Sequence, residues 1–159
     1  AYLKSRKISP VVAQGVCKEV HYTIKEKYVF SIGLKNNSGG WELRNKYFKA
    51  SSSPKDLRCI TNGSQKLIVI EGIFDLLSLV TLFPNLKGEA DFLILNSIAF
   101  AEKALPYFDT CTTVELYLDQ DKVGRKTTSF FLNTTATCID KSCFYKAEKD
   151  LNAWLMKTF

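Results

Sequence analysis

From Leu67 onward, short apolar runs alternate with longer amphipathic stretches along the chain. Such alternation predicts βαβ units, in which parallel strands are covered by helices. We predict strands at 66–70, 91–95, 114–118 and 142–145, and helices at 74–83, 99–108, 125–133 and 151–156. The predicted fold class is therefore α/β, with a parallel sheet of about four strands. Glu115 is unfavourable inside a strand buried on both faces, so we expect it near a sheet edge or reaching solvent.

The first 65 residues follow a different pattern. We predict a short helix at 10–18, then strands at 28–34 and 41–48 that flank a Gly39-Gly40 turn and form a hairpin. Two polar segments, 51–55 and 61–65, separate this part of the chain from the α/β part. We therefore predict two domains: a small α+β lobe over residues 1–65 and an α/β lobe over residues 66–159.

Composition narrows the class of protein. Apolar residues make up 46% of the 159 residues, enough for a packed core, and no apolar run approaches the length of a membrane span. The five cysteines are odd in number and mostly far apart, which favours reduced thiols and a cytoplasmic location. With one histidine and no CxxC pair, a structural zinc site or a histidine-activated nucleophile is disfavoured.

The net charge of +6 is compatible with nucleic-acid binding, and equally with a well-solvated basic surface. The first residues contain neither an initiator methionine nor an apolar signal segment. We therefore expect that the chain is a processed or excised piece of a longer protein.

Carboxylates follow the predicted strands at their carboxyl ends, where the functional crevice of an open parallel sheet lies. Glu71 comes directly after the first predicted strand, and Asp119 and Asp121 come after the third. Three carboxylates at one edge repel one another unless a cation is bound, so the cluster suits Mg²⁺ or Mn²⁺. Such an ion stabilises charge on a reacting phosphoryl group. For Asp121 or Asp75 alone, helix capping is the more common role.

Two motifs at these positions resemble the Toprim domain of bacterial primases, topoisomerases and certain nucleases. Residues 69–75 read VIEGIFD and residues 118–125 read LDQDKVGR. Their order and spacing are most similar to the primase type, including primase-like Toprim proteins of Bacteroides-type mobile elements. Residues 149–152, KDLN, resemble the "KDPDE" segment of primases, and residues 2–9 and Lys46-Tyr47 are similar to upstream primase segments.

The resemblance implies a Toprim domain at 66–159, preceded by a lobe like the N-terminal part of a primase catalytic core. It implies that Glu71, Asp119 and Asp121 are catalytic and bind Mg²⁺ or Mn²⁺, with Asp75 and Asp150 as supporting metal ligands. It also implies a set of basic residues that contact nucleotide or nucleic acid: Arg6, Arg44, Lys46, Lys122, Arg125 and Lys126. The implied partners are a DNA template and nucleoside triphosphates, with a zinc-finger domain and a helicase supplied elsewhere.

The implied activity is primer synthesis in DNA replication or mobile-element transfer, by a primase-like nucleotidyltransferase. Two alternatives stay open. A Toprim-type nuclease would use the same carboxylates to cleave a strand, and a non-catalytic nucleic-acid-binding module would have kept the fold without turnover. The chain departs from the primase pattern at Lys7, where the family has glycine, and at Val123, where it has alanine. Trp41, Tyr47 and Phe48 are candidates for stacking on bases, although hairpin packing explains them as well.

Overall fold

A computed structural model describes all 159 residues and contains two β-sheets. The first sheet is antiparallel, in the order β1-β2-β3-β4, and follows two short helices, α1 and α2. Its elements are α1 (Tyr2–Ser5), α2 (Pro10–Gln14), β1 (Lys18–Ile24), β2 (Lys27–Lys35), β3 (Trp41–Arg44) and β4 (Lys49–Ser51). The predicted hairpin is present, because β2 and β3 pair antiparallel across the Gly39-Gly40 turn.

The sequence pattern missed β1 and β4, and the helix predicted to reach Lys18 ends at Gln14. β1 and β2 are joined by Lys25 and Glu26, with φ of 46° and 63°. Left-handed φ at both positions is the geometry of a two-residue type I′ turn, which normally contains Asn or Gly. This hairpin therefore lacks the usual turn signal in its sequence.

The second sheet has five strands in the order β5-β7-β6-β8-β9. β7, β6, β8 and β9 are parallel to one another, and β5 pairs antiparallel with β7 at the edge. The bounds are β5 (Arg58–Ile60), β6 (Lys66–Ile70), β7 (Asp91–Ile94), β8 (Thr113–Tyr117) and β9 (Cys138–Asp140). The predicted α/β class with about four parallel strands is confirmed.

Five further helices cover this sheet: α3 (Ile73–Leu82), α4 (Leu86–Glu89), α5 (Ala101–Ala104), α6 (Lys122–Thr134) and α7 (Leu151–Thr158). The helix predicted at 99–108 is broken into α5 and two flanking 3₁₀ turns, Ile98–Phe100 and Leu105–Tyr107. Pro106 lies in the second of these turns, and its missing N–H cannot continue an α-helical ladder. None of the helices has the length and hydrophobicity needed to cross a membrane.

The strand predicted at 142–145 is wrong, because Ser142–Tyr145 is a 3₁₀ turn and the edge strand is β9 before it. The Asp140 carboxylate accepts hydrogen bonds from the backbone N–H of Ser142 at 2.8 Å and from its hydroxyl at 2.6 Å. These bonds turn the chain out of the sheet. Tyr145 then packs into the core, where its hydroxyl donates to the Leu118 carbonyl at 2.8 Å.

The apolar core lies on both faces of the second sheet. Ile68 and Ile70 of β6 belong to one cluster and Leu67 and Val69 to the other, as the two-residue alternation of a strand requires. α3 is buried over all of residues 73–80 because it lies between the sheet and the first lobe. The first cluster also contains four side chains from the first lobe: Ile8, Ala13, Cys17 and Leu34. The two lobes therefore share one core.

β5 comes before residue 66 and yet belongs to the second sheet. The second sheet thus includes residues that precede the predicted boundary. The division into residues 1–65 and 66–159 stays a prediction. The chain passes from the first sheet to the second between β4, which ends at Ser51, and β5, which begins at Arg58.

Glu115 lies in β8, one strand inside the edge strand β9, and its side chain is only 10% exposed. Of the two alternatives expected for Glu115, the position near a sheet edge is the one that the structure has, and the side chain does not reach solvent. Lys66 Nζ lies 3.1 Å and Lys141 Nζ 3.7 Å from Glu115 Oε1, and the Tyr117 hydroxyl donates to Oε2 at 3.3 Å. Two lysines from neighbouring segments thus compensate a charge that would otherwise be costly to bury.

Candidate functional site

Carboxylates from separate segments converge at the carboxyl-end edge of the second sheet. Glu71 follows β6 directly, and Asp119 lies just beyond the end of β8, the neighbouring parallel strand. The Asp119 N–H donates to Glu71 Oε2 at 3.4 Å, which places the two strand ends side by side. Asp121 follows as the N-cap of α6.

Two more carboxylates approach from helix N-termini. Asp75 lies in the first turn of α3, is 9% exposed, and accepts a hydrogen bond at 3.2 Å from the Asn152 N–H. Asp150 is the N-cap of α7 and accepts from the Ala153 N–H at 2.7 Å. The negative charge of Asp150 raises the pKa of both Asp75 and Asp119, so these groups lie close in space.

Each of these carboxylates keeps at least one oxygen without a hydrogen bond. Asp121 uses only Oδ1, which accepts from the N–H groups of Val123 and Gly124 at 3.0 and 2.9 Å. Glu71, Asp75 and Asp150 likewise use one oxygen each. The backbone therefore orients these side chains while leaving acceptor oxygens for another ligand.

The cluster contains more negative charge than the chain compensates. Burial, followed by the charges of Asp75, Glu71 and Asp150, raises the pKa of Asp119 to about 8. Burial and the charge of Asp150 raise the pKa of Asp75 to about 7. Burial also raises the pKa of Glu71, with a further contribution from Asp121. A bound cation would offset this repulsion.

The residue types fit a hard divalent cation, since all the available ligands are carboxylate oxygens. No three Asp, Glu, His or Cys side chains stand together in the structure as a group that could hold a metal ion. Glu71, Asp119 and Asp121 remain the predicted ligands, with Asp75 and Asp150 in support.

Gly124 allows the close packing that the site needs. A Cβ atom at this position would clash with the backbone carbonyl of Asp119. Only glycine therefore lets the first turn of α6 lie against the chain that leaves β8. The same contact holds the Asp121 cap beside Asp119.

A small cleft, with about 30 Å³ of space open to a water-sized sphere, lies between the two lobes, next to the carboxylates. The second lobe contributes Gly72–Asp75 and Asn96, and the first sheet contributes Glu42, Leu43, Arg44 and Lys49. Lys49 lies opposite Arg44 in the β3–β4 pair, and its positive charge partly offsets the rise that burial causes in the pKa of Glu71. The first lobe thus presents cations to the acidic edge of the second.

The structure separates the six predicted basic residues into two groups. Arg6 and Arg44 both lie over the Phe74 ring, at 5.4 and 6.0 Å from its centroid, beside the cleft. The other four do not face the cleft: Lys46 lies over the Tyr47 ring, Lys122 is exposed at the start of α6, Arg125 donates to the Gln120 carbonyl, and Lys126 lines a separate groove.

Sequence reasoning missed Lys49, Lys149 and Asn96. Lys49 was missed together with β4, the strand that carries it. Lys149 directly precedes Asp150, and its place in the KDLN segment was the available signal. Its charge partly offsets the rise that burial causes in the pKa of Glu71 and of Asp119. Asn96 follows β7 with a φ of 61°, a left-handed conformation that asparagine tolerates better than most residues. An asparagine just after a buried strand was the available signal.

Comparisons with known proteins identify a family and a shared fold. A family model described as Toprim-like matches residues 68–155, and one described as a domain of unknown function matches residues 1–53. No curated protein matches the chain.

Two solved structures share the fold. One is the crystal structure of the primase fragment of the bacteriophage T7 primase-helicase protein: TM-score 0.68, 20% identity, 96% of this chain and 67% of that one. The other is the bacteriophage T7 lagging-strand DNA polymerase interacting with primase domains of two gp4 subunits bound to an RNA/DNA hybrid and dTTP. Its matching chain has a TM-score of 0.65 and 20% identity, over 88% of this chain and 79% of that one.

Proposed function

This chain belongs to the Toprim-like family, and on that basis we propose that it is a primase-like enzyme that transfers nucleotides to a growing primer on a DNA template. One observation carries the proposal. The Toprim motif residues Glu71 and Asp119 are joined by a hydrogen bond at the carboxyl-end edge of the sheet, with Asp121 two residues beyond Asp119. This is the edge at which open parallel sheets bind their ligands.

Glu71, Asp119 and Asp121 would hold Mg²⁺ or Mn²⁺, with Asp75 and Asp150 as supporting ligands. When bound, the ion supplies electrostatic stabilisation of the negative charge that builds up on the phosphoryl group. The protein's own contribution is orientation, because backbone N–H groups fix one oxygen of Glu71 and one of Asp121.

The first lobe supports the proposal through its charge. Residues 1–65 contain twelve Lys or Arg and four Asp or Glu, a net charge of +8, whereas residues 66–159 contain ten and twelve, a net charge of −2. The positive charge of the first lobe would favour binding of a triphosphate and of a template backbone. Arg44 and Lys49, which line the cleft, are the side chains best placed for the triphosphate.

The proposed partners are a DNA template and nucleoside triphosphates. A zinc-finger domain and a helicase would be supplied elsewhere, as the primase resemblance implies. In the second structural neighbour, primase domains are bound to an RNA/DNA hybrid and dTTP. A role in DNA replication or mobile-element transfer in the cytoplasm follows from the same proposal.

The test is primer synthesis on a single-stranded DNA template with nucleoside triphosphates and Mg²⁺ or Mn²⁺. We expect a ladder of short products from the native chain and none from the Asp119→Asn/Asp121→Asn variant. Asp109→Asn is the matched control, because it removes an exposed carboxylate from the loop that enters β8 at the opposite edge of the sheet.

The two alternative functions predict different results in the same assay. Strand cleavage that depends on metal and on both aspartates would replace the proposal with a Toprim-type nuclease. Binding of DNA with neither synthesis nor cleavage, unchanged by the double substitution, would identify a non-catalytic nucleic-acid-binding module.

A further inference from the structure

An aromatic strip lies on the first sheet outside the cleft. It consists of Tyr28 and Phe30 of β2 and His21 of β1. His21 pairs directly with Phe30, and its ring centroid lies 5.6 Å from that of Tyr28 and 6.0 Å from that of Phe30. Tyr28 is 74% exposed and Phe30 is 58% exposed. The His21 ring lies against both of the others, and the Tyr28 and Phe30 side chains leave most of their surface in solvent.

The strip is on the same face of the sheet as the cleft. Tyr28, Phe30, Ile32 and Leu34 are two residues apart along β2, so their side chains point to one side. Ile32 pairs directly with Arg44, and Arg44 pairs with Lys49, which places the two cleft cations on that side as well. Exposure falls steadily along β2, from the two exposed rings through half-buried Ile32 to buried Leu34.

The strip therefore continues the cleft outward into solvent. Tyr28 lies four residues along β2 from Ile32, which is about 13 Å at the rise of a β-strand. Packing within the chain does not account for these rings, since neither Tyr28 nor Phe30 belongs to a core cluster. A row of exposed aromatic side chains on a protein surface is typical of an interaction site.

Charge indicates the kind of partner. The strip belongs to the lobe with a net charge of +8, and its face of the sheet also carries Arg44 and Lys49, while Lys25 and Glu26 form the turn at its outer end. The one acidic side chain of β1, Glu19, is held at 2.9 Å by His21. Exposed aromatic rings on a cationic sheet are the combination that binds single-stranded nucleic acid, because bases stack on the rings while the cations follow the backbone.

We infer that Tyr28 and Phe30 form a stacking track for single-stranded nucleic acid that leads into the cleft. Recognition through base faces tolerates any sequence, so the track would bind strands without sequence preference. The identification of the bound strand as a template rests on the proposed function, whereas the binding itself does not.

The test is fluorescence anisotropy with a labelled dT oligomer of about 16 nucleotides and the whole chain, in EDTA at low salt. Stacking on one ring contributes at least about fivefold to affinity, so Tyr28→Ala/Phe30→Ala should weaken binding about 25-fold or more. Tyr28→Trp/Phe30→Trp keeps aromatic faces in place and should bind within about threefold of the native chain.

Phe83→Ala/Phe159→Ala is the matched control. It removes two exposed aromatic rings, at the C-terminal ends of α3 and α7 and so away from the carboxylate edge. Its affinity should stay within about twofold of native. The inference is overturned if Tyr28→Ala/Phe30→Ala, shown by circular dichroism to be folded, also binds within twofold of native; the strip would then be assigned to a protein partner. It is overturned as well if the control loses as much affinity as Tyr28→Ala/Phe30→Ala.

The primer-synthesis assay on the native chain separates this inference from the proposed function. Strip-dependent binding of the oligomer by a native chain that makes no primers would reject the primase-like activity and leave the track standing. Primer synthesis that persists in Tyr28→Ala/Phe30→Ala, with unchanged affinity for the oligomer, would reject the track and leave the activity standing.

Discussion

Replacing Asp119 by asparagine should stabilise the metal-free protein. The Asp119 carboxylate makes no hydrogen bond within the chain, so the substitution removes charge without removing a bond. Burial and neighbouring carboxylates raise the pKa of Asp119 to about 8. In the folded protein this carboxyl is therefore protonated at neutral pH, whereas in the unfolded chain it is ionised.

The magnitude follows from linkage. A raised carboxyl pKa means that the folded state loses stability as pH rises from about 4, the ordinary aspartate value, toward 8. Each pKa unit corresponds to about 1.4 kcal/mol, so the full effect at pH 7 would be about 4 kcal/mol. Because Asp119 is only partly buried, solvent screening lowers our expectation to about 1–3 kcal/mol. That corresponds to an increase of about 2–4 °C in Tm per kcal/mol.

The assay is urea unfolding in EDTA from pH 4 to 8, with Asp109→Asn as the control for a surface charge. The free energy of unfolding of Asp119→Asn should match native near pH 4 and exceed it increasingly toward pH 8. Mg²⁺ at about 100 times its Kd should then stabilise the native chain by about 2.7 kcal/mol, and Asp119→Asn much less. A variant that is less stable than native at pH 7 in EDTA would refute the reasoning, as would equal stabilisation of both proteins by Mg²⁺.

Three further predictions concern the scaffold. Asp56→Ala removes a buried carboxylate that accepts hydrogen bonds from a lysine of α5 at 2.7 Å and from a serine hydroxyl of the β2–β3 turn at 2.6 Å. Urea unfolding should therefore show a free energy of unfolding that is lower by about 2–4 kcal/mol. Burial raises the pKa of Asp56, but these hydrogen bonds outweigh burial and lower it overall, so this difference should persist above pH 4 and shrink as pH falls further. Gly124→Ala should push α6 away from the Asp119 carbonyl, and isothermal calorimetry should show at least tenfold weaker Mg²⁺ binding, whereas an unchanged Kd would contradict the packing argument. Lys25→Asn/Glu26→Gly gives the left-handed turn its preferred residues and should raise the free energy of unfolding by about 1 kcal/mol; a decrease would show that the turn is not type I′.

Local sequence determined the elements whose signal is periodic and strong. The run of apolar residues in β6 predicted its bounds to the residue, and the acids that follow β6 and β8 predicted which edge of the sheet would carry chemistry. These features depend on short-range rules: side-chain alternation in strands, and the position of strand ends in a parallel sheet. The Gly39-Gly40 hairpin was predicted for the same reason, since its turn residues carry their own conformational preference.

Tertiary structure decided what depends on partners distant in sequence. Glu115 is buried because Lys66 reaches it from β6 and Lys141 from the turn after β9, and no periodicity shows such pairs. β1 and β4 exist through pairing with β2 and β3, without a turn or apolar signal of their own. The register of that sheet alone brings Lys49 to the cleft and aligns the aromatic strip with it. The sequence thus determined which groups can react, while long-range pairing determined which of them meet.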